Sequence, residues 1–199
     1  MRKVIVLTVI ALMTAGSSLA WTPDQMGIYF DTDATVYDDP GVAAGDQISI
    51  YIMLTHPSHP EVAAWECQVV WDQMGGLFFG SWALTNNGVN VGDISDPMAM
   101  NFAVGTGAQP IQTSDATILA TWSGIFASGT GSCFYVKEYP GGSFPDEHLP
   151  GYAADETTLV PCGISSGSPD QPVASFGNGC PGIVGNNETA WSTVKTLYR

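Results

Sequence analysis

Residues 63–71 read Ala-Ala-Trp-Glu-Cys-Gln-Val-Val-Trp, and from Trp65 onward every second side chain is apolar. A period of two puts Trp65, Cys67, Val69 and Trp71 on one face of a strand, which predicts a strand buried on that side. The same alternation recurs in Gln47–Leu54, where Ile48, Ile50 and Ile52 share a face, and in Met98, Met100, Phe102 and Val104. Met26–Phe30, Leu77–Leu84, Thr117–Phe126, Cys133–Val136 and Pro172–Phe176 add further short apolar runs. Gly and Pro separate them, and no long stretch has helical spacing before the C-terminus. Residues 138–155 read as loop, because Pro-Gly-Gly, Phe-Pro-Asp and Leu-Pro-Gly interrupt them. Short strands joined by Gly-rich turns point to an all-β fold, a two-sheet antiparallel sandwich of immunoglobulin-like type or a jelly roll. No internal repeat or low-complexity linker divides the chain, so residues 21–188 are expected to form one domain.

The N-terminus carries Arg2 and Lys3, then an apolar run from Val4 to about Met13, then Ser18-Leu19-Ala20. This is the layout of a secretory signal peptide, residues 1–20, cleaved after Ala20. Its apolar run is shorter than the roughly 20 residues that span a bilayer. No membrane insertion is expected, and the mature chain is placed outside the cell, in the periplasm or on the cell surface. Removing residues 1–20 of the 199 leaves 179, enough for a real core.

The mature chain keeps three cations, Lys137, Lys195 and Arg199, against 19 carboxylates. So few cations exclude nucleic acid as a partner, because counterion release needs Lys and Arg against phosphates. Four cysteines in an exported chain suggest two disulfides. Cys162 with Cys180 is favoured, since the two close a short loop; Cys67 then pairs with Cys133 or stays a buried thiol. No Cys-x-x-Cys pair supports a zinc site.

At the C-terminus, Trp191, Val194, Leu197 and Tyr198 fall on one helical stripe. Thr189 is placed to cap the helix, and Lys195 and Arg199 sit in its last turn. Residues 189–199 are read as a short amphipathic helix that docks on the sandwich; the alternative is a tag bound by a secretion or assembly partner.

Gly45-Asp46-Gln47-Ile48-Ser49-Ile50, Val62 through Asp72 and Ala116-Thr117-Ile118-Leu119-Ala120-Thr121-Trp122 resemble the strands of a cohesin-type module. The resemblance covers roughly residues 27–137. It implies a nine-stranded sandwich that binds another protein, the dockerin module, without catalytic residues. The region after residue 138 departs from that pattern, so no binding residue is carried over. The chain is also similar to exported bacterial proteins that begin near Gly27-Ile28-Tyr29-Phe30-Asp31 and end in Trp-x-x-hydrophobic-Lys-x-Leu-Tyr-Arg.

Candidate sites are few. Asp31, Asp33, Asp38 and Asp39 are candidate calcium ligands, and calcium is the one cofactor the sequence admits. An EF-hand is excluded, because Thr35, Val36 and Val42 stand where a ligand, Gly and Glu are required. His56 and His59 precede Glu61, but Pro57 and Pro60 forbid the helix that a His-Glu-x-x-His site needs. The one Gly-x-Ser-x-Gly match, Gly163-Ile164-Ser165-Ser166-Gly167, lies in a Ser-rich loop with no His placed by motif, and no catalytic residue is assigned. Trp82 and Tyr152 lie beside loops and are candidates for stacking on a sugar ring. The expected function is a secreted binding, adhesive or scaffolding module that contacts another extracellular protein. A glycan-binding module or glycan-active enzyme is the alternative.

Overall fold

The computed structural model describes residues 22–177 and Cys180. The expected signal peptide, residues 1–20, and the C-terminal stripe of Trp191, Val194, Leu197 and Tyr198 lie outside the described residues. Among the latter, no helix is long and apolar enough to cross a membrane.

The strands follow the alternating segments closely. They are β1 (Gln25–Tyr29), β2 (Asp38–Asp39), β3 (Gln47–Thr55), β4 (Glu61–Val62), β5 (Ala64–Asp72), β6 (Leu77–Leu84), β7 (Val89–Asn90), β8 (Met100–Gly105), β9 (Ile111–Gln112), β10 (Ala116–Ser128), β11 (Gly131–Lys137), β12 (Gly151–Ala153), β13 (Leu159–Pro161), β14 (Gly163–Ile164) and β15 (Ala174–Gly177). One sheet has five strands in the order β14-β1-β3-β10-β6. The other has eight, β13-β12-β5-β11-β15-β2, with β8 on the far side of β5 and β7 beyond it. Pairing is antiparallel except between β1 and β14 and between β15 and β2. The fold is therefore the expected all-β two-sheet sandwich.

The core lies between the sheets because each long strand turns its apolar set inward. In β5, Trp65, Cys67, Val69 and Trp71 are all buried, as the alternation requires. Opposite them stand Ile50, Ile52, Trp122 and Phe126 of the five-stranded sheet. Aromatic rings fill one end. Trp71 meets Trp122 edge-on at 5.1 Å and leans on Phe134 at 5.2 Å, while Phe78 stacks on Phe126 at 5.1 Å. Gly80 and Gly124 are paired across β6 and β10, and each leaves room for the Trp122 ring. A Cβ on either would come within 2.4 Å of that ring, so the two bare backbones are what lets the indole lie flat against the sheet.

Three expectations need correction. Met98 is not in the strand with Met100, Phe102 and Val104; it sits in a one-turn 3-10 helix, Pro97–Ala99, capped by the Asp96 carboxylate. The Pro at its start ends the alternation. Residues 138–155 are not all loop, because β12 pairs with both β5 and β13. Three residues are too few to show a period, so the Pro and Gly around them masked the strand.

The disulfide joins Cys133 to Cys180, with Cα atoms 5.6 Å apart, and not Cys162 to Cys180. Cys67 and Cys162 are free and buried. Strand parity explains why Cys67 and Cys133 do not bond. Cys67 points into the core with Trp65 and Val69, whereas Cys133 lies between inward-facing Ser132 and Phe134 and so faces the opposite way. Burial pushes both free thiols well above the usual range.

Candidate functional site

Five residues from five strands line up across the outer face of the eight-stranded sheet. In register they are Leu159, Ala153, Ala64, Gly105 and Val89. Large side chains stand at the two ends and small ones between them. In the next row Gly151 and Ala103 flank Glu66 in register, and the Val91 backbone N–H donates to the Ala103 carbonyl at 3.0 Å. The result is a shallow apolar trough of about 250 Å³. Its floor is Ala and Gly around Glu66, and its walls are Val91 on one side and Leu159 with Phe144 on the other. Val91 is 82% exposed and Leu159 56%. Four inter-strand spacings separate Leu159 from Val89, roughly 19 Å, which is wider than the roughly 10–12 Å of an α-helix.

Each wall has a support. Phe144 lies against Gly151, where a Cβ would come within 2.1 Å of the ring. Its loop is tied down at both ends. The Glu66 carboxylate accepts the Ser143 N–H at 2.5 Å, and His148 Nδ1 pairs with Glu138 at 2.8 Å. Leu159 rides on the β12–β13 hairpin, whose turn is closed by Asp155. That carboxylate accepts the backbone N–H of Thr157 and Thr158 and the hydroxyls of both residues.

The bonds from Thr157, then that from the Thr158 hydroxyl, hold the Asp155 carboxyl down at about 2, against 3.8 for a free aspartate. A depressed carboxyl contributes order above its unfolded value and loses it as the pH falls through 3.8 towards 2. The Asp155 carboxyl resonance is therefore expected to titrate near 2, and in Thr157→Ala its midpoint is expected to rise. Carbon-detected NMR reads this, and a wild-type midpoint near 3.8 would show that the turn is open in solution.

Beyond its pairing with β5, the hairpin is tied to the start of β1 by a buried carboxylate. Asp24, just before β1, accepts the Tyr152 hydroxyl and the Ser58 N–H, both at 2.8 Å. Its backbone N–H donates to the His56 carbonyl and its own carbonyl accepts from Gly163. Burial, with Asp24 alongside, raises the Tyr152 phenol to about 12.

The residues singled out in the sequence fall elsewhere. Tyr152 is 1% exposed and faces the core, so it offers no platform to a sugar. Trp82 packs edge-on against Phe102 at 5.4 Å. The glycan reading thereby loses Tyr152, while Trp82 stays half-buried. Asp31, Asp33, Asp38 and Asp39 do not converge, and among the described residues no three acidic, His or Cys side chains could share a metal ion. Asp31 folds back on its own loop to accept from the Thr35 and Val36 N–H groups. Asp38 accepts the Ser175 hydroxyl at 2.6 Å and Asp39 accepts the Gly41 N–H. His59 leans on the Tyr152 ring. The trough itself was not legible in advance, because its floor is assembled from Ala and Gly of separate strands.

No protein-family model matches the sequence, and no curated protein matches it either. Solved structures do match the fold. The sixth cohesin of scaffoldin B from Acetivibrio cellulolyticus, solved in complex with a Cel5 dockerin, superposes with a TM-score of 0.50 at 10% identity, covering 78% of this chain and 99% of its own. The seventh type I cohesin of a scaffoldin from Pseudobacteroides cellulosolvens superposes with a TM-score of 0.50 at 7% identity, covering 83% and 98%. The chain has a cohesin-like β-sandwich fold.

Proposed function

We propose that this chain is an exported, non-catalytic binding module that recognises another extracellular protein through the trough on its eight-stranded sheet. The observation that carries this reading is the row of Leu159, Ala153, Ala64, Gly105 and Val89. Small residues remove side-chain bulk from the middle of an exposed sheet, and exposed aliphatics rim the gap. A patch of this kind stays wet and unfavourable until an apolar surface covers it. An apolar ridge one helix wide fits between the walls. The partner's rim is expected to carry Lys or Arg, because Glu66 is the charged side chain in the trough and the chain as a whole is at −14. The cohesin-like fold supports the reading, since a cohesin of that fold has been solved in complex with a dockerin. Residues 1–20 would be removed on export, and residues 189–199 would dock as a helix or serve as a tag.

The test is capture of partners from the source's own secreted fraction, first with the wild-type chain and then with Leu159→Asp and Val91→Asp. Burying a new carboxylate in the interface is expected to weaken capture at least tenfold, equivalent to about 1.4 kcal/mol or more. Unchanged melting temperatures would separate this from unfolding. Capture that survives both substitutions would place the binding surface elsewhere.

A further inference from the structure

The five-stranded sheet carries no charge. The strands β14, β1, β3, β10 and β6 contain not one Asp, Glu, Lys or Arg, although the chain holds 19 acidic residues. Those among the described residues lie in loops, on the other sheet or in the small β4–β9 pair. A face kept this clear in so acidic a chain is open to association without like-charge repulsion.

The edges of the two sheets are unequal. The edge strands β14, β2 and β7 are two residues long, β2 is Asp-Asp, and β13 is three residues ending in Pro161. These are the devices that stop edge-to-edge pairing: short strands, charge and proline. β6 has none of them. It is eight residues, Leu-Phe-Phe-Gly-Ser-Trp-Ala-Leu, and it pairs with β10 alone. Among the described residues, no backbone group of 77–84 bonds to any other segment. On its outer face Phe79 is 61% exposed and Leu77 49%, next to exposed Ile125 of β10.

We propose that β6 is a self-association edge, where a second copy of this chain adds its own β6 antiparallel and the two five-stranded sheets become one. The sequence of the strand is self-complementary in one register. With Gly80 opposite Gly80 of the second copy, Phe79 faces Ser81, and Leu77 faces Ala83, on the outer side. Each large side chain then meets a small one, and the two-fold axis repeats both pairs. On the inner side Phe78 faces Trp82, an aromatic pair at the spacing cross-strand neighbours need. A shift by one residue would set outward Phe79 against inward Trp82 and is excluded by parity. The surface is isologous, as a closed dimer requires. It is separate from the trough, which lies on the other sheet, so the dimer leaves both troughs open.

Light scattering on the full-length secreted chain is expected to give the mass of two copies. Phe79→Lys and Ser81→Asp each put a charge into the seam, on the outer side where Phe79 faces Ser81, and each is expected to give the mass of one copy. Leu159→Lys, on the other sheet, is expected to leave the dimer intact. A second measurement avoids folding altogether. Phe79→Cys mixed with Ser81→Cys is expected to cross-link on oxidation, and either variant alone much less. A wild-type chain that is monomeric at every concentration, a dimer that survives both seam substitutions, or cross-linking that does not require the mixture would each overturn the proposal.

Discussion

Replacing Trp71 by alanine is expected to cost about 3–5 kcal/mol, the range for deleting a large buried aromatic. That is a large share of the roughly 5–15 kcal/mol that holds a domain together. Trp71 is the common neighbour of the aromatic end of the core, in contact with Phe78, Trp122 and Phe134. Its Nε1–H also donates to the buried Ser132 hydroxyl at 2.9 Å. The two roles separate by substitution. Ser132→Ala keeps the packing but strands the indole N–H, at about 1–3 kcal/mol. Trp71→Phe removes the donor and part of the ring and is expected to fall between the two. Urea unfolding with an unchanged slope measures each loss. A cost below that of an ordinary surface change for Trp71→Ala would mean that β5 turns its other face inward.

Opening the disulfide is expected to be the second large effect. Cys133 and Cys180 are 47 residues apart, and a loop of that size contributes about 4 kcal/mol in the chain-entropy account. Cys133→Ser should lower the melting temperature by the corresponding amount, and reducing agent should do the same to the wild type but not to the variant. Peptide mapping without reduction is expected to find the Cys133–Cys180 pair. Cys67 and Cys162 are expected to react with an alkylating agent only after unfolding, since both thiols are buried and held protonated. A Cys162–Cys180 peptide would sink the assignment. The bridge also ties the end of the described chain to the outer side of β11, on the same sheet as the trough.

The cysteines show where reading along the chain stops. Short loop length argued for Cys162 with Cys180, but a disulfide needs two side chains on one side of a sheet at one height. Parity on β11 is visible in the sequence once Phe134 and Val136 are taken as inward. The position of Cys162 is not, because it lies where the chain leaves β13 for β14 and passes from one sheet to the other. Tyr152 makes the same point. Beside Pro and Gly it reads as a loop residue, yet pairing of β12 with β5 sets it directly opposite Trp65 and buries it.

The alternating strands, the inward faces of β3, β5 and β8 and the two-sheet architecture were determined by the sequence itself. Side-chain alternation is a property of a single strand, and a run of nine residues is enough to display it. Which strands lie side by side, and in what register, only the tertiary structure decided. Ala64, Gly105 and Ala153 are ordinary residues in three separate segments, and they become a trough floor only when pairing sets them in one row. Likewise Leu77–Leu84 reads as a strand in any context. That one of its sides is left without a partner follows from its place at the end of the sheet, which no local pattern records.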